Sequence, residues 1–484
     1  MVGLQIRGKA LRFVALGYFV LLTLILIYFD NDTFLPSILF LLINFYIAIA
    51  FFNIERSGSD KLLFYLIYSV YSLGYVFKAI VLNAADRNSH YVYNTIKVVI
   101  NPNDYVDALN VVTIGHILLV CLLFVASILH HRRFTDLTIK GYISNNTINI
   151  ILLFIFIWIS LSSVIMFSYG VALMGAESVS LPYKLSGIFF YSRTLIIPIL
   201  LLYFLEKSMV RGDRPLFNKS VMIYFFLAAS EVLVRASKGP LLQIVLLVVV
   251  LSYQLLMRGV DTRRFISKKH IFVVFVVAIA AFPLITIYRS VVVGVDFETA
   301  QFALVISDLM DASSTNGSSY LTEAIVHFFH RLVGFTQMAG ILAMKHTTVN
   351  FVDFFEYGSI AKYYTKGILG HHMANHSSSP SLIGAALFLG GKAWWPVVFL
   401  SYLSFMIVVW RYSSRIVNLE VVVKCQLAYE VFNTIIAGTI DSSFYRITIM
   451  LIFVLIFEAT LGVARVASIG SNHTVNRYFM LDIK

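Results

Sequence analysis

Residues 220–257 read SVMIYFFLAASEVLVRASKGPLLQIVLLVVVLSYQLLM, two apolar runs separated by a short charged turn. The second run, 239–257, has the length of a helix that spans a bilayer, which takes about 17–25 residues. The first run, 220–234, is shorter, and only Arg235 to Pro240 separates it from the second. Pro240 fits the first turn of a helix, where its missing N–H costs nothing. The stretch therefore predicts a helical hairpin in a membrane, with a tight turn that carries Arg235 and Lys238.

The rest of the chain has the same apolar character. Of its 484 residues, 59% are hydrophobic and 13% are charged, whereas a soluble domain has about 25% charged residues. The chain therefore has too little polar surface for a soluble fold, and we expect an all-α, single polytopic membrane domain over residues 1–484. Twelve runs are candidate transmembrane helices: 11–29, 35–52, 62–82, 108–129, 148–170, 187–205, 220–234, 239–257, 271–288, 394–410, 419–438 and 446–463.

Lysine and arginine set the expected orientation, because they concentrate in short cytoplasmic loops. Their distribution between the runs favours both termini in the cytoplasm. Residues 290–380, between the ninth and tenth candidate helices, then form one large periplasmic loop. Within this loop, Tyr320–Lys345 has helical periodicity and is expected to be an amphipathic helix that lies at the membrane surface.

Basic residues at the expected outer ends of the helices form the first candidate site. An arginine in or near a span is costly unless it faces a wet cavity or a counter-charge, so it indicates function by default. For any single arginine, an internal ion pair with an acidic residue such as Glu231 is the alternative. As a group they favour an anion, because the guanidinium fork matches phosphate oxygens. The group comprises Arg193, Arg235, Lys238, Arg289 and Arg331.

A lipid-linked diphosphate lies at the depth where these helices are expected to end. It is also a leaving group, and guanidinium groups stabilise its departure as an anion without a metal ion. The sequence therefore predicts a site with neither metal nor cofactor.

Histidines supply the candidate bases, because their ordinary pKa suits proton removal near neutral pH. His327 and His330 lie in the predicted loop helix, and His371, His372 and His376 precede the tenth candidate helix. His376 is the favoured base. Two alternatives stay open for these residues: a metal site formed by the HHxxxH spacing, and histidines that only face lipid headgroups.

Four segments follow a pattern found in a known family: the turn Arg235-Ala-Ser-Lys238-Gly239, the pair Tyr288-Arg289, the pair His330-Arg331 and the segment from Pro380 to Gly391. Together they resemble Wzy-type O-antigen and capsule polymerases over residues 220–410. The resemblance implies a fold like that of the related O-antigen ligases. It gives the diphosphate to Arg289 and the turn at Lys238, with Arg331 in support, and the role of base to His376. We therefore expect His376, Arg289 and Arg331 to be catalytic, and the other candidates to bind substrate: Arg235, Lys238, Arg193, His327 and His330.

The expected function is the polymerisation of lipid-linked repeat units in the bacterial inner membrane, for O-antigen, capsule or exopolysaccharide. The enzyme would be a metal-independent, inverting glycosyltransferase that acts on polyprenyl-diphosphate-linked oligosaccharides, with a chain-length regulator as a candidate partner. The alternative is a lipid-linked oligosaccharide flippase, although a transporter of that kind should show two similar halves. The net charge of +12 is attributed mainly to cytoplasmic loops, so no nucleic-acid partner is expected.

Overall fold

A computed structural model of the chain describes residues 2–28, 31–54, 60–85, 90–93, 96–98, 102–129, 145–171, 181–236, 239–266, 285, 288, 334–343, 359–360, 363–364, 380–416 and 418–479. The chain divides into two compact units, each drawn from three segments. The first unit comprises Met1–Phe134, Leu321–Val409 and Glu430–Phe444. The second comprises Thr135–Tyr320, Trp410–Tyr429 and Tyr445–Lys484.

Helices make up almost all of the described residues. In chain order they are α1 Val2–Tyr28, α2 Asn31–Asn53, α3 Asp60–Tyr71, α4 Lys78–Ala85, α5 Pro102–Ile128, α6 Asn145–Ser168, α7 Leu185–Tyr191, α8 Ile197–Arg211, α9 Arg214–Arg235, α10 Gly239–Met257, α11 Phe335–Ala343, α12 Leu382–Tyr412, α13 Glu420–Ala437 and α14 Ile440–Phe479. Two π-helical segments join consecutive helices: Ser72–Phe77 joins α3 to α4, and Ser192–Ile196 joins α7 to α8. Short 3₁₀ turns lie at Pro182–Lys184, Thr262–Arg264 and Ser413–Arg415.

Within the described residues, nine helical stretches are long and apolar enough to cross a membrane. They are Asn31–Asn53, Asp60–Val81, Pro102–Ile128, Asn146–Ser168, Pro182–Arg211, Arg214–Arg235, Gly239–Met257, Leu382–Arg415 and Ile440–Leu461. A shorter apolar helix, Arg12–Tyr28, coincides with the first of the twelve predicted runs. These lengths and compositions are those of a multi-pass membrane protein.

Two predicted spans stand apart from these stretches. The run 271–288 lies outside the described residues, except for Ile285 and Tyr288. The run 419–438 forms α13, but this helix carries three acidic or basic side chains in its 18 residues, Glu420, Lys424 and Glu430. All three are buried. Protein therefore surrounds the polar side chains of α13, and the helix is less apolar than the nine stretches above.

The predicted hairpin is present, although its first helix is longer than expected. Helix α9 begins at Arg214, and Oδ1 of Asp213 accepts the N–H of Leu216 at 3.0 Å as an N-terminal cap. Pro215 occupies the first helical turn, where proline is favoured. Helix α10 begins at Gly239 and has Pro240 in its first turn, as predicted. The expectation of a short first arm was wrong because charged residues belong to its capped first turns.

One small β-hairpin accompanies the helices of the described residues, which otherwise have the all-α character that the sequence predicts. Strand β1, His90–Tyr93, pairs antiparallel with strand β2, Ile96–Val98, and His90 lies opposite Val98. Aromatic and β-branched residues are enriched in strands, and both segments contain them.

The described end of the predicted loop helix is buried. In α11, Phe335, Met338, Ala339 and Ile341 are at most 1% exposed. Helix α11 packs against α5, and the ring of Phe335 meets Tyr105 edge-on at 6.0 Å. This part of the predicted amphipathic helix is therefore packed inside the first unit, and residues 320–333 and 344–345 of that helix lie outside the described residues.

Candidate functional site

A cavity in the second unit brings together two of the predicted substrate-binding residues. It lies between the π-helical segment 192–196, α9 and the first turns of α10, and it is partly open to its surroundings. Arg193, Glu231 and Arg235 line it, together with apolar side chains such as Leu227 and Ile244. The hairpin turn that the sequence singled out therefore borders a cavity with charged walls.

Arg193 is the more deeply held of the two arginines. It is the second residue of the π-helical segment, a type of turn that is frequent at functional sites. Its Nη1 donates to the carbonyl oxygen of Ile159 at 2.9 Å and to the hydroxyls of Ser162 and Ser163 at 2.7 Å each. Its Nη2 donates to the hydroxyl of Ser230 at 2.8 Å. The guanidinium is thus fixed by α6 on one side and α9 on the other.

Arg193 also forms a buried ion pair. Its Nε donates to Oε1 of Glu231, and the two side chains are 0% and 4% exposed. The sequence left open an internal ion pair for each arginine, and for Arg193 the structure shows one. Removing one partner of a buried pair leaves the other charge without compensation, at a cost of about 3–5 kcal/mol.

Arg235 is held more loosely at the same carboxylate. It is the last residue of α9, and its Nη1 lies 3.3 Å from Oε2 of Glu231, one turn earlier on that helix. Its side chain is 21% exposed. The guanidinium carbon lies 5.1 Å from the ring centroid of Phe190, a cation–π distance. The buried Nε of Arg235 has no hydrogen-bond partner among the described residues.

Two polar residues that line the cavity, and one that bonds to its wall from outside, were not identified from the sequence. Tyr224 and Gln243 line it, and within the described part of the chain neither the Tyr224 hydroxyl nor Nε2 of Gln243 has a hydrogen-bond partner. Both side chains are buried. Arg446, on α14, donates to the carbonyl oxygen of Thr194 in the cavity wall at 3.4 Å. The only signal for them was a polar residue inside an apolar run.

The charges of this cavity suit an anion. Among the described residues that line the cavity, two guanidinium groups share one carboxylate, so these lining residues carry one more positive than negative charge. Low surrounding polarity strengthens the attraction between a cation and an anionic ligand. The N–H at Nε of Arg235 and the amide of Gln243 are hydrogen-bond donors, and an oxygen-rich ligand satisfies such groups.

All three predicted catalytic residues, Arg289, Arg331 and His376, lie outside the described residues. The same holds for other candidates: Lys238, His327, His330, His371 and His372. Their roles therefore stay predictions. Tyr288, which precedes Arg289 in the sequence, is described, and its hydroxyl donates to the carbonyl oxygen of Leu233 at 2.7 Å. Tyr288 thus contacts α9 two residues before Arg235.

A second buried charge cluster lies elsewhere in this unit. Glu420 accepts from Arg258 at 2.9 Å and from Lys424 at 2.6 Å. Nζ of Lys424 also donates to the hydroxyl of Ser414 at 2.9 Å and lies 5.6 Å from the ring centroid of Trp410. These contacts satisfy the charge of Lys424, which lies inside the predicted span 419–438.

Comparisons with protein-family models, curated proteins and solved structures found no match for this chain. The likeness to Wzy-type polymerases therefore stays a resemblance of four segments.

Proposed function

We propose that this protein is a membrane glycosyltransferase that polymerises polyprenyl-diphosphate-linked oligosaccharides. The observation that carries the proposal is the cavity beside the α9–α10 turn, where Arg235 is partly exposed and incompletely hydrogen-bonded among the described residues. A basic cavity at the end of a membrane-spanning hairpin suits the diphosphate of a lipid-linked substrate. The segment resemblance supports the same substrate class.

The proposed reaction is one displacement at an anomeric carbon. A hydroxyl of one lipid-linked unit attacks the anomeric carbon of the growing chain, and the bond from that carbon to the diphosphate oxygen breaks. The polyprenyl diphosphate leaves with the electron pair, and the hydroxyl proton passes to a base, for which His376 is the candidate. A single displacement inverts the configuration at that carbon.

The proposed roles follow the electrostatics of the reaction. Negative charge develops on the diphosphate as its bond breaks, and preorganised cations stabilise that charge. Arg235 is placed to do so from the cavity, and Arg289 and Arg331 are proposed to act with it. We place the activity at the outer face of a bacterial inner membrane, with a polysaccharide chain-length regulator as the proposed partner.

The decisive experiment is the lipid-linked glycan profile of a bacterium from which this gene is deleted. The proposal expects single repeat units in place of polymer, and recovery of polymer when the gene is restored. Precursors that accumulate facing the cytoplasm would instead support a flippase. Unchanged polymer in the deletion strain would contradict both functions.

A further inference from the structure

We propose that Arg193 is a positioning residue, which neutralises Glu231 so that Arg235 stays available to an anionic ligand. This role rests on the proposed function, because it takes the ligand of the cavity to be a diphosphate. It gives Arg193 and Arg235 different roles, whereas the sequence predicted substrate binding for both.

The two arginines hold Glu231 unequally. Arg193 pairs with Oε1 of Glu231 from a fully buried position, and hydrogen bonds to α6 and α9 fix its guanidinium. Arg235 reaches only Oε2, at 3.3 Å, and its side chain keeps 21% exposure. The carboxylate is thus committed to Arg193 and holds Arg235 weakly.

Removal of Arg193 should therefore make the guanidinium of Arg235 less available to an anionic ligand, although Arg235 itself is unchanged. Glu231 would then have Arg235, four residues later on the same helix, as its nearest described cation. A carboxylate pairs readily with a cation at this spacing. The side chain of Glu231 would compete with the ligand for the guanidinium, and the cavity wall would lose its excess positive charge. If Glu231 is neutralised as well, that excess returns.

The test is a double-mutant cycle on the full-length protein in lipid nanodiscs, with binding of farnesyl diphosphate as the measurement. Arg193→Gln is expected to weaken binding by about tenfold or more, since close charges interact strongly in this environment. Glu231→Gln is expected to bind as tightly as the wild type or more tightly. The double variant is expected to recover most of the loss, which is the non-additive result that identifies coupling. Arg264→Gln is the control, because Arg264 is 76% exposed and pairs only loosely with Asp261 at 3.5 Å.

Several outcomes would overturn the role of Arg193. They are wild-type binding by Arg193→Gln, a double variant as weak as Arg193→Gln, and a wild-type protein that binds no farnesyl diphosphate. If Arg193→Gln does not fold, Glu231→Gln alone decides, because weaker binding by that variant contradicts charge neutralisation. A deletion strain with normal polymer would refute the proposed function, and the binding cycle would still test the pairing. If the deletion strain lacks polymer but the double variant does not recover farnesyl diphosphate binding, the proposed role of Arg193 is refuted and the proposed function stands.

Discussion

Replacement of Arg235 by glutamine should abolish activity while leaving the fold nearly intact. Among the described residues, its polar contacts are one ion pair at 3.3 Å and one cation–π contact at 5.1 Å, on a side chain that is 21% exposed. An ion pair between residues four positions apart on one helix contributes about 0.3–0.5 kcal/mol to the free energy of unfolding. A partly exposed cation–π contact contributes about 0.5–1 kcal/mol. Glu231 keeps its buried partner Arg193, so the substitution leaves no buried charge without compensation. We therefore expect a loss of about 1 kcal/mol in the free energy of unfolding.

The expected effect on catalysis is much larger. Loss of one preorganised donor to a developing anion typically lowers turnover by about 10²–10³-fold. Polymer yield from the Arg235→Gln variant should fall by that order at matched protein level. Its thermal midpoint in detergent should fall by about 2–4 °C at most.

The assay is polymer length and yield in the complemented deletion strain, with a thermal melt of each purified protein. Arg264→Gln, a change of the same chemistry at an exposed site, should alter neither quantity. Normal polymer from Arg235→Gln would refute the reasoning, because Arg235 would then be an interfacial anchor. Loss of polymer together with loss of folded protein would refute it as well, because the contacts would then matter for stability.

Three further outcomes are expected. Gln243→Leu should weaken farnesyl diphosphate binding, because it removes a hydrogen-bond donor from the cavity. It should keep or raise the thermal midpoint, because Nε2 of this buried amide has no partner in the described residues. Unchanged binding would exclude Gln243 from the site. Gly438→Ala should greatly reduce the yield of folded protein on size-exclusion chromatography. The reason is that Gly438 has φ +66° and that an added Cβ would lie 2.1 Å from the carbonyl oxygen of Ser381. A wild-type yield would show that the backbone around Gly438 and Ser381 can move apart. Polymerisation by the purified protein should survive excess chelator, because cationic side chains are proposed to balance the leaving group; loss of activity with rescue by magnesium would indicate a metal-dependent enzyme.

The sequence predicted the hairpin well because its signals are local. Apolar length identifies α9 and α10, and Pro240 marks the first turn of the second helix. The start of α9 was missed, because charged residues there resemble a loop until Asp213 is seen to cap the helix. Helix α13 was predicted as an ordinary span from its apolar residues. Its buried polar side chains depend on distant partners such as Arg258, which pairs with Glu420. These two residues are 162 positions apart in the sequence, so no local spacing predicts that they meet.

The roles of Arg193 and Arg235 show where sequence reasoning stops and why. Both are single cations beside apolar runs, and residue type alone predicts phosphate binding for each. The ion pair between Arg235 and Glu231 has the four-residue spacing that a helix brings together, so it is visible in the sequence. The pair between Arg193 and Glu231 joins residues 38 positions apart, across a π-helical segment. The two arginines differ in burial: Arg193 is fully buried and must be compensated by protein groups, whereas Arg235, at the end of α9, is 21% exposed. Arg446, in the candidate span Ile440–Leu461, also bonds to protein, at the carbonyl oxygen of Thr194. Of the two cavity arginines, Arg193 therefore serves the fold first, and Arg235 is the better candidate for the ligand.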